Sequence, residues 1–454
     1  MAKENILSSV ETIRAENLST PTGRKLSVAG LSAASLVDSC EEQGMPVLWP
    51  YMYTSLGTSI GQLGPVSGAS KFAMTLLYPL WGYAADRFSR KMLLVWFTGI
   101  WGLWTLGISL AGSFPQLLIL RVLSGLGLGV FVPVAFSLIG DLFDHESRGR
   151  AIGIVRGVGM LGLVFAVVLL PMLAEREPDG WRTGFALMGF ASFLTGLLML
   201  GIQEPTRGAS EPELSDVITK KAAQQYTFKW ADLKSLFKIK SWRHLMLNEV
   251  LTTSSFAVFT IWIFTWFAEL GVAKPVYYSV LLLNSVGVIG GTFFFGWLGD
   301  HLEGRLPGRG RILMIQIGLA VMVPCAIGFL FSGKDDVARL FIFGFLSTAS
   351  NGASSEGARW PVAQAILPPE LRGSNRAIIG MVVGVASALM LSLSGLVADR
   401  VGVSSALLWL FPGPILLSIF AWIPMFRTYP RDRAALHELL MQRRAELIEQ
   451  KRSI

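Results

Sequence analysis

Cysteine and histidine are nearly missing, with 2 Cys and 4 His among 454 residues. Cys40 and Cys325 both lie in apolar segments, so a disulfide framework is excluded. The same scarcity leaves no cluster of metal ligands, and neither a metal nor another cofactor is expected. No His-rich group and no nucleophile–base pair stands out, which argues against an enzyme. No glycine-rich loop closes on Gly-Lys-Ser or Gly-Lys-Thr, which argues against an ATP-driven pump. Charge is scarce too: 15% of residues are charged, where about 25% is usual in soluble domains. The net charge of +8 sits in short loops rather than in one basic domain, so nucleic acid is not the expected ligand. Residues 1–25 are polar and contain no short apolar core before a small-residue cleavage site, so no signal peptide is expected.

What remains is apolar. Hydrophobic residues make up 52% of the chain, with 28 Phe, 14 Trp and 48 Gly, and the mean hydropathy is +0.53. A membrane helix needs about 20 apolar residues. Twelve such spans are predicted, near 27–52, 60–84, 91–112, 115–139, 150–173, 180–202, 244–269, 275–299, 311–332, 337–363, 375–398 and 404–427. Each is read as a helix, because lipid offers no water to an open backbone. The fold class is therefore an all-α membrane protein of two six-helix halves. A tail (1–26), a first half (27–202), a linker (203–243), a second half (244–427) and a second tail (428–454) complete the plan.

Lys and Arg gather in the even-numbered connections, in the linker and in both tails. The positive-inside rule then puts both termini in the cytoplasm, and a bacterial inner membrane is the expected location. Within the linker, residues 229–237 suit a surface helix with Trp230, Leu233 and Phe237 on one face. The last tail suits an amphipathic helix through Leu436, Leu440 and Leu447, lying on the inner membrane surface. The halves repeat each other. Gly82-x-x-x-Asp86 closes span 2 and Gly296-x-x-x-Asp300 closes span 8. Val132-Pro133-Val134-Ala135 answers Trp360-Pro361-Val362-Ala363, and Arg150-Ala151-Ile152 answers Arg376-Ala377-Ile378. Such duplication is the plan of a secondary transporter.

Charges inside spans are costly, so each points to function. Span 1 holds Asp38, Glu41 and Glu42; Asp38 shares a face with the other two at i+3 and i+4, and the three are expected to line a wet cavity. Asp38 is about 11 residues in, near the midplane at about 1.5 Å per residue. A desolvated carboxyl there suits proton loading and unloading near neutral pH. The alternative is a static ion pair. Lys71 in span 2 lies at similar depth; it either pairs with Asp38 or snorkels to the outer surface. Arg121 in span 4 matches the depth of Glu41 and Glu42. In the second half, Asn248 and Glu249 open span 7, and Glu356 and Arg359 stand one turn apart in span 10. With Arg156 of span 5 they are read as a second polar cluster, lining a cavity or an inner gate; plain neighbouring ion pairs are the bland alternative.

The stretch Gly82-Tyr83-Ala84-Ala85-Asp86-Arg87-Phe88-Ser89-Arg90-Lys91 resembles the loop 2–3 signature of the major facilitator superfamily. Arg121-Val122-Leu123-Ser124-Gly125-Leu126-Gly127 resembles its helix 4 signature. Within that superfamily the chain is similar to the spinster-like group, on Trp104-Thr105-Leu106-Gly107, Ile139-Gly140-Asp141-Leu142-Phe143, Glu204-Pro205-Thr206-Arg207-Gly208 and Trp230-Ala231-Asp232-Leu233-Lys234-Ser235-Leu236. The resemblance implies alternating access around one site between the halves. It implies that Asp86 faces the start of helix 11 and that Arg90 pairs with Asp141. Gly82, Asp86, Arg87, Arg90, Asp141 and Asp300 are then gating residues. It further implies that Arg121 supports proton coupling without touching the solute. The expected solute is a small amphipathic or anionic organic molecule, lysophospholipid among the candidates, carried by a monomer. A proton-driven drug efflux pump is the alternative, although span 5 reads Gly157-Val158-Gly159-Met160-Leu161-Gly162 and lacks the Gly-Pro antiporter motif.

Overall fold

The long apolar segments are helices in the computed structural model, which describes residues 21–143, 145–205, 236–368 and 371–452. In the first half these are α1 (Pro21–Met52), α2 (Leu63–Arg87), α3 (Arg90–Ile108), α4 (Phe114–Leu142), α5 (His145–Ala174) and α6 (Trp181–Met199). In the second they are α7 (Lys240–Leu270), α8 (Lys274–Arg305), α9 (Gly310–Leu330), α10 (337–364), α11 (Arg372–Val401) and α12 (Val403–Ala421). A last helix, α13 (Met425–Arg452), follows. The described residues form no strand.

Among the described residues, nine of these helices are long and apolar enough to cross a membrane by length and composition. The other three expected spans are α1, α2 and α10. α1 carries Asp38, Glu41 and Glu42 together with Arg24 and Lys25. α2 carries Lys71 and Arg87. α10 is interrupted by a tight 3-10 turn at Gly352–Ser354 before it resumes at Glu356. Charges such as Asp38 and Lys71 lie well inside these helices, and a charge there points to function.

The chain divides into two compact units, Met1–Gln225 and Tyr226–Ile454. Each packs its helices by the same scheme. In the first, α1 lies on α5, α2 on α4, and α3 on α6. In the second, α7 lies on α11, α8 on α10, and α9 on α12. Close approach at the second of these pairings depends on glycine. A Cβ on Gly125 of α4 would stand 2.9 Å from the Ser70 carbonyl oxygen of α2. A Cβ on Gly291 of α8 would stand 2.0 Å from the Ala349 carbonyl oxygen of α10. Small residues at crossings let membrane helices pack by dispersion, since lipid provides no hydrophobic drive between them.

The far end of the first half is tied by polar contacts. Ser55 donates to Asp179 at 2.5 Å, and Arg182 donates to the carbonyls of Ser109 (2.9 Å) and Ala111 (2.7 Å), closing the end of α3. The Ser55 hydroxyl, with help from Arg182 and Trp181, holds the Asp179 carboxyl below the usual carboxylate range.

α13 begins earlier than the expected tail, running on from α12 after a turn, and its first part docks onto the second half. Asp432 accepts from the Ser241 backbone N–H at 2.8 Å, capping α7, whose own N-cap residue Ile239 supplies no side-chain bond. Arg433 reaches Glu303 at 2.8 Å, and Glu303 also accepts from the Gly308 backbone at 2.7 Å. Tyr429 is buried beneath them; burial first, then Glu303, pushes its phenol up. Of the expected apolar face, Leu436 is buried and Leu440 is exposed, while the Leu447 side chain lies outside the described residues. Asp432→Ala should lower thermal stability in detergent by about 1 kcal/mol, the worth of a helix cap. An unchanged melt would mean that α13 does not hold α7. The expected surface helix at 229–237 falls on residues 206–235, which lie outside the described residues except for Leu236 and Phe237.

Candidate functional site

Two polar centres emerge in the first half and one in the second. The first is a chamber inside the first bundle. It is lined by Asp38 and Glu41 of α1, Thr98 and Trp101 of α3, Ser124 of α4 and Ser192 of α6. A π-turn at Val95–Ile100 shapes its α3 wall, and such turns recur at functional sites. The turn leaves the Thr98 carbonyl to accept from the Ser192 hydroxyl at 2.7 Å. Glu41 is 4% exposed and accepts a hydrogen bond from the Thr105 hydroxyl. Arg121 is 5% exposed, and among the described residues its Nε and Nη1 have no hydrogen-bond partner. Glu41 and Glu42 are the acids whose charge acts on it.

Successive residues turn by about 100° on a helix, so Glu41 and Glu42 cannot face the same way. Glu41 points into the bundle and Glu42 is exposed. Asp38 is half-buried between them. The cation whose field reaches Asp38 is Arg156 of α5, which also lies over the Phe136 ring at 4.9 Å. The sequence did not pair Arg156 with Asp38. Of the two readings of Lys71, the pair with Asp38 is not seen: Lys71 is half-buried, and among the described residues no ion pair joins the two.

The second centre closes the loop between α2 and α3. Arg90 is 1% exposed and forms an ion pair with Asp141 of α4. Its guanidinium also donates to the Ser137 carbonyl (3.2 Å) and the Pro205 carbonyl (3.0 Å) and lies 3.6 Å from Glu204. Glu204 in turn accepts from the Arg90 backbone at 2.6 Å and the Ser89 hydroxyl at 2.5 Å. The segment after α6 is thus clamped onto the loop. Arg87 stands apart, over the Tyr83 ring at 4.6 Å. Gly82 and Asp86 lie in α2, and the Asp86 side chain lies outside the described residues.

In the second half, Arg359 of α10 meets Glu249 of α7 at 3.1 Å and the Thr252 hydroxyl at 2.8 Å. Its Nε has no hydrogen-bond partner among the described residues. Asn248 departs from the cavity expectation: it is fully buried, donating to the His244 carbonyl (2.9 Å) and accepting from Ser418 of α12 (2.6 Å). It is a tie between helices, because the residue beside Glu249 on a helix faces about 100° away. The Glu356 side chain lies outside the described residues. Asp300 pairs with Arg311 across the α8–α9 loop. Thr98, Asp432 and Arg433 were not singled out from sequence, and Thr105 and Glu204 entered only as parts of resemblance motifs. A signal existed for Thr98 and Thr105, as hydroxyls in a span of low charge, and for Glu204, as an acid two residues beyond a span end.

The description "Major Facilitator Superfamily" matches residues 31–374. The chain belongs to the major facilitator superfamily. This superfamily comprises transporters of small organic solutes rather than enzymes, and the chain is a multi-pass membrane protein of that fold. A probable 4-methylmuconolactone transporter of Cupriavidus pinatubonensis is 31% identical over 223 residues, 47% of this chain and 48% of that protein. The match thus spans about half of that relative's length. A probable sulfoacetate transporter of Cupriavidus necator is 25% identical over 318 residues, 66% of this chain and 72% of that protein. Among solved structures, a bacterial homolog of the human lysosomal transporter Spinster superposes with a TM-score of 0.70 at 18% identity. That likeness covers 92% of this chain and 98% of the other, and it supports the superfamily fold.

Proposed function

We propose that the chain is a secondary active transporter that moves a small organic anion by alternating access, coupled to protons at Asp38. The observation that carries this reading is the chamber of the first half. It holds two carboxyls at membrane depth, one tied to Thr105 and one without a hydrogen bond among the described residues. A carboxyl at that depth must share or shed its charge as its surroundings change, which is what coupling requires. The anionic solute is favoured by two arginines with unpartnered N–H groups, Arg121 and Arg359. It is also favoured by the two named relatives, whose solutes both carry acid groups. Gating falls to the Arg90 clamp, with Asp141 and Glu204, and to Asp300 with Arg311. The chain works as a monomer in a bacterial inner membrane with both ends in the cytoplasm, as its Lys and Arg distribution favours. Lysophospholipid, the solute that the spinster-like resemblance implies, is the second reading.

Flux into proteoliposomes under an imposed pH gradient tests this. Labelled sulfoacetate, a methylmuconolactone and a lysophosphatidylcholine are compared. Gradient-driven movement of a small acid is expected. Movement of the lysolipid alone would move the assignment to lipid, and gradient-independent movement of all three would sink proton coupling.

A further inference from the structure

We propose that Asp38 and Glu41 act as one proton-sharing pair, joined by a single water that Thr98 holds in the chamber of the first half. This deepens the proton-coupled reading above and rests on it for its role in transport. The chamber leaves about 10 Å³ to the centre of a water-sized sphere, about the space that one ordered water needs. Thr98 is 9% exposed, lines the chamber, and among the described residues its Oγ1 has no hydrogen-bond partner. Buried hydroxyls are normally satisfied, so a water there gives Thr98 the partner it lacks. A water in such a place needs two to four polar partners. Asp38, Glu41 and the Thr98 hydroxyl supply three.

The spacing fits a bridge. Residues three apart on a helix have Cβ atoms about 5–6 Å from each other. One Glu41 oxygen is taken by the Thr105 hydroxyl, which leaves the other for the water. The transfer is balanced: a protonated Asp38 gives its proton to the water, and the water gives one of its own to Glu41. Only O–H bonds form and break, and no co-reactant is needed.

Surrounding charge limits the pair to one proton. Arg156 of α5 acts on Asp38, and Arg121 of α4 acts on Glu41. Glu42, exposed on α1, also acts on both Asp38 and Arg121. Cys40 lies on α1 beside Glu41. α3 and α6 offer the chamber hydroxyls only, from Thr98 and Ser192, with Thr105 behind Glu41. With Glu42 counted, three acids face two arginines. One proton balances the set, and a second leaves a net positive charge in a low-dielectric site, at greater cost.

The test is a pH titration of the full chain in lipid, read by infrared difference spectroscopy of protonated carboxyls, with no solute and no gradient. One carboxyl proton is expected, with a signal changed by both Asp38→Asn and Glu41→Gln. Thr98→Val should move its midpoint by about one pH unit, a tenfold change in proton affinity, and Thr98→Ser should restore it. Thr98→Ala gives the same readout if the valine variant does not fold. An unmoved midpoint in both Thr98 variants overturns the proposal, as do two carboxyl protons that titrate independently. Because this titration needs no transport, a shared proton without gradient-driven flux would sink the coupling reading and leave the pair standing.

Discussion

Asp38→Asn should lower gradient-driven solute uptake about 100-fold, within the range that a positioned acid or base contributes, while solute exchange without net proton movement persists. The reason lies in the chamber. Asparagine keeps the shape of the side chain but cannot load or release a proton. Glu41 remains, tied to Thr105 and facing Arg121, so the bundle keeps its packing. Glu42→Gln should change uptake far less, since Glu42 points away from the chamber. Equal losses from Asp38→Asn and Glu42→Gln would mean that the three acids act as one charge cluster, and that the inward turn of Glu41 is irrelevant to coupling. Exchange and gradient-driven uptake, measured on the same proteoliposomes, separate these outcomes.

Arg90→Ala should destabilise the first half by about 3–5 kcal/mol, the cost of leaving a buried ion pair broken, and should stall transport. Arg90 is nearly sealed from solvent, and its guanidinium serves Asp141, two backbone carbonyls and Glu204 at once. Alanine strands both acids. Arg90→Lys should not rescue, because an ammonium lacks the planar fork that reaches four acceptors. Asp141→Asn is expected to cost less, as Glu204 still faces the cation. Thermal unfolding of the purified variants in detergent, paired with flux, measures both parts. A lysine variant that melts and transports like the parent would mean that any positive charge suffices there.

Much of this was legible in the residues. Hydropathy located the helices, since lipid enforces backbone pairing within each segment. The repeat of Gly82-x-x-x-Asp86 as Gly296-x-x-x-Asp300 anticipated two halves, which the matching helix pairings of each unit display. The Arg90–Asp141 pair came from the superfamily resemblance, and the structure contains that contact. Facing directions were less accessible. Asn248 and Glu249 are neighbours in sequence, yet Asn248 is buried against Ser418 while Glu249 meets Arg359. Depth follows from counting residues, but the direction a side chain faces depends on how its helix is rotated by packing. Thr98 illustrates the same limit. Its exposure to the chamber follows from a π-turn, and a π-turn inserts a residue into the helical period without a mark in the composition.

The most direct test of proton-coupled anion transport at Asp38 is proton counting. Proteoliposomes loaded with a pH-sensitive dye, and given no imposed gradient, receive sulfoacetate or a methylmuconolactone outside. The account predicts a pH change inside the vesicles that begins with solute addition and is absent in Asp38→Asn. Solute entering with no proton movement in the parent protein, or with the same proton movement in Asp38→Asn, would contradict it.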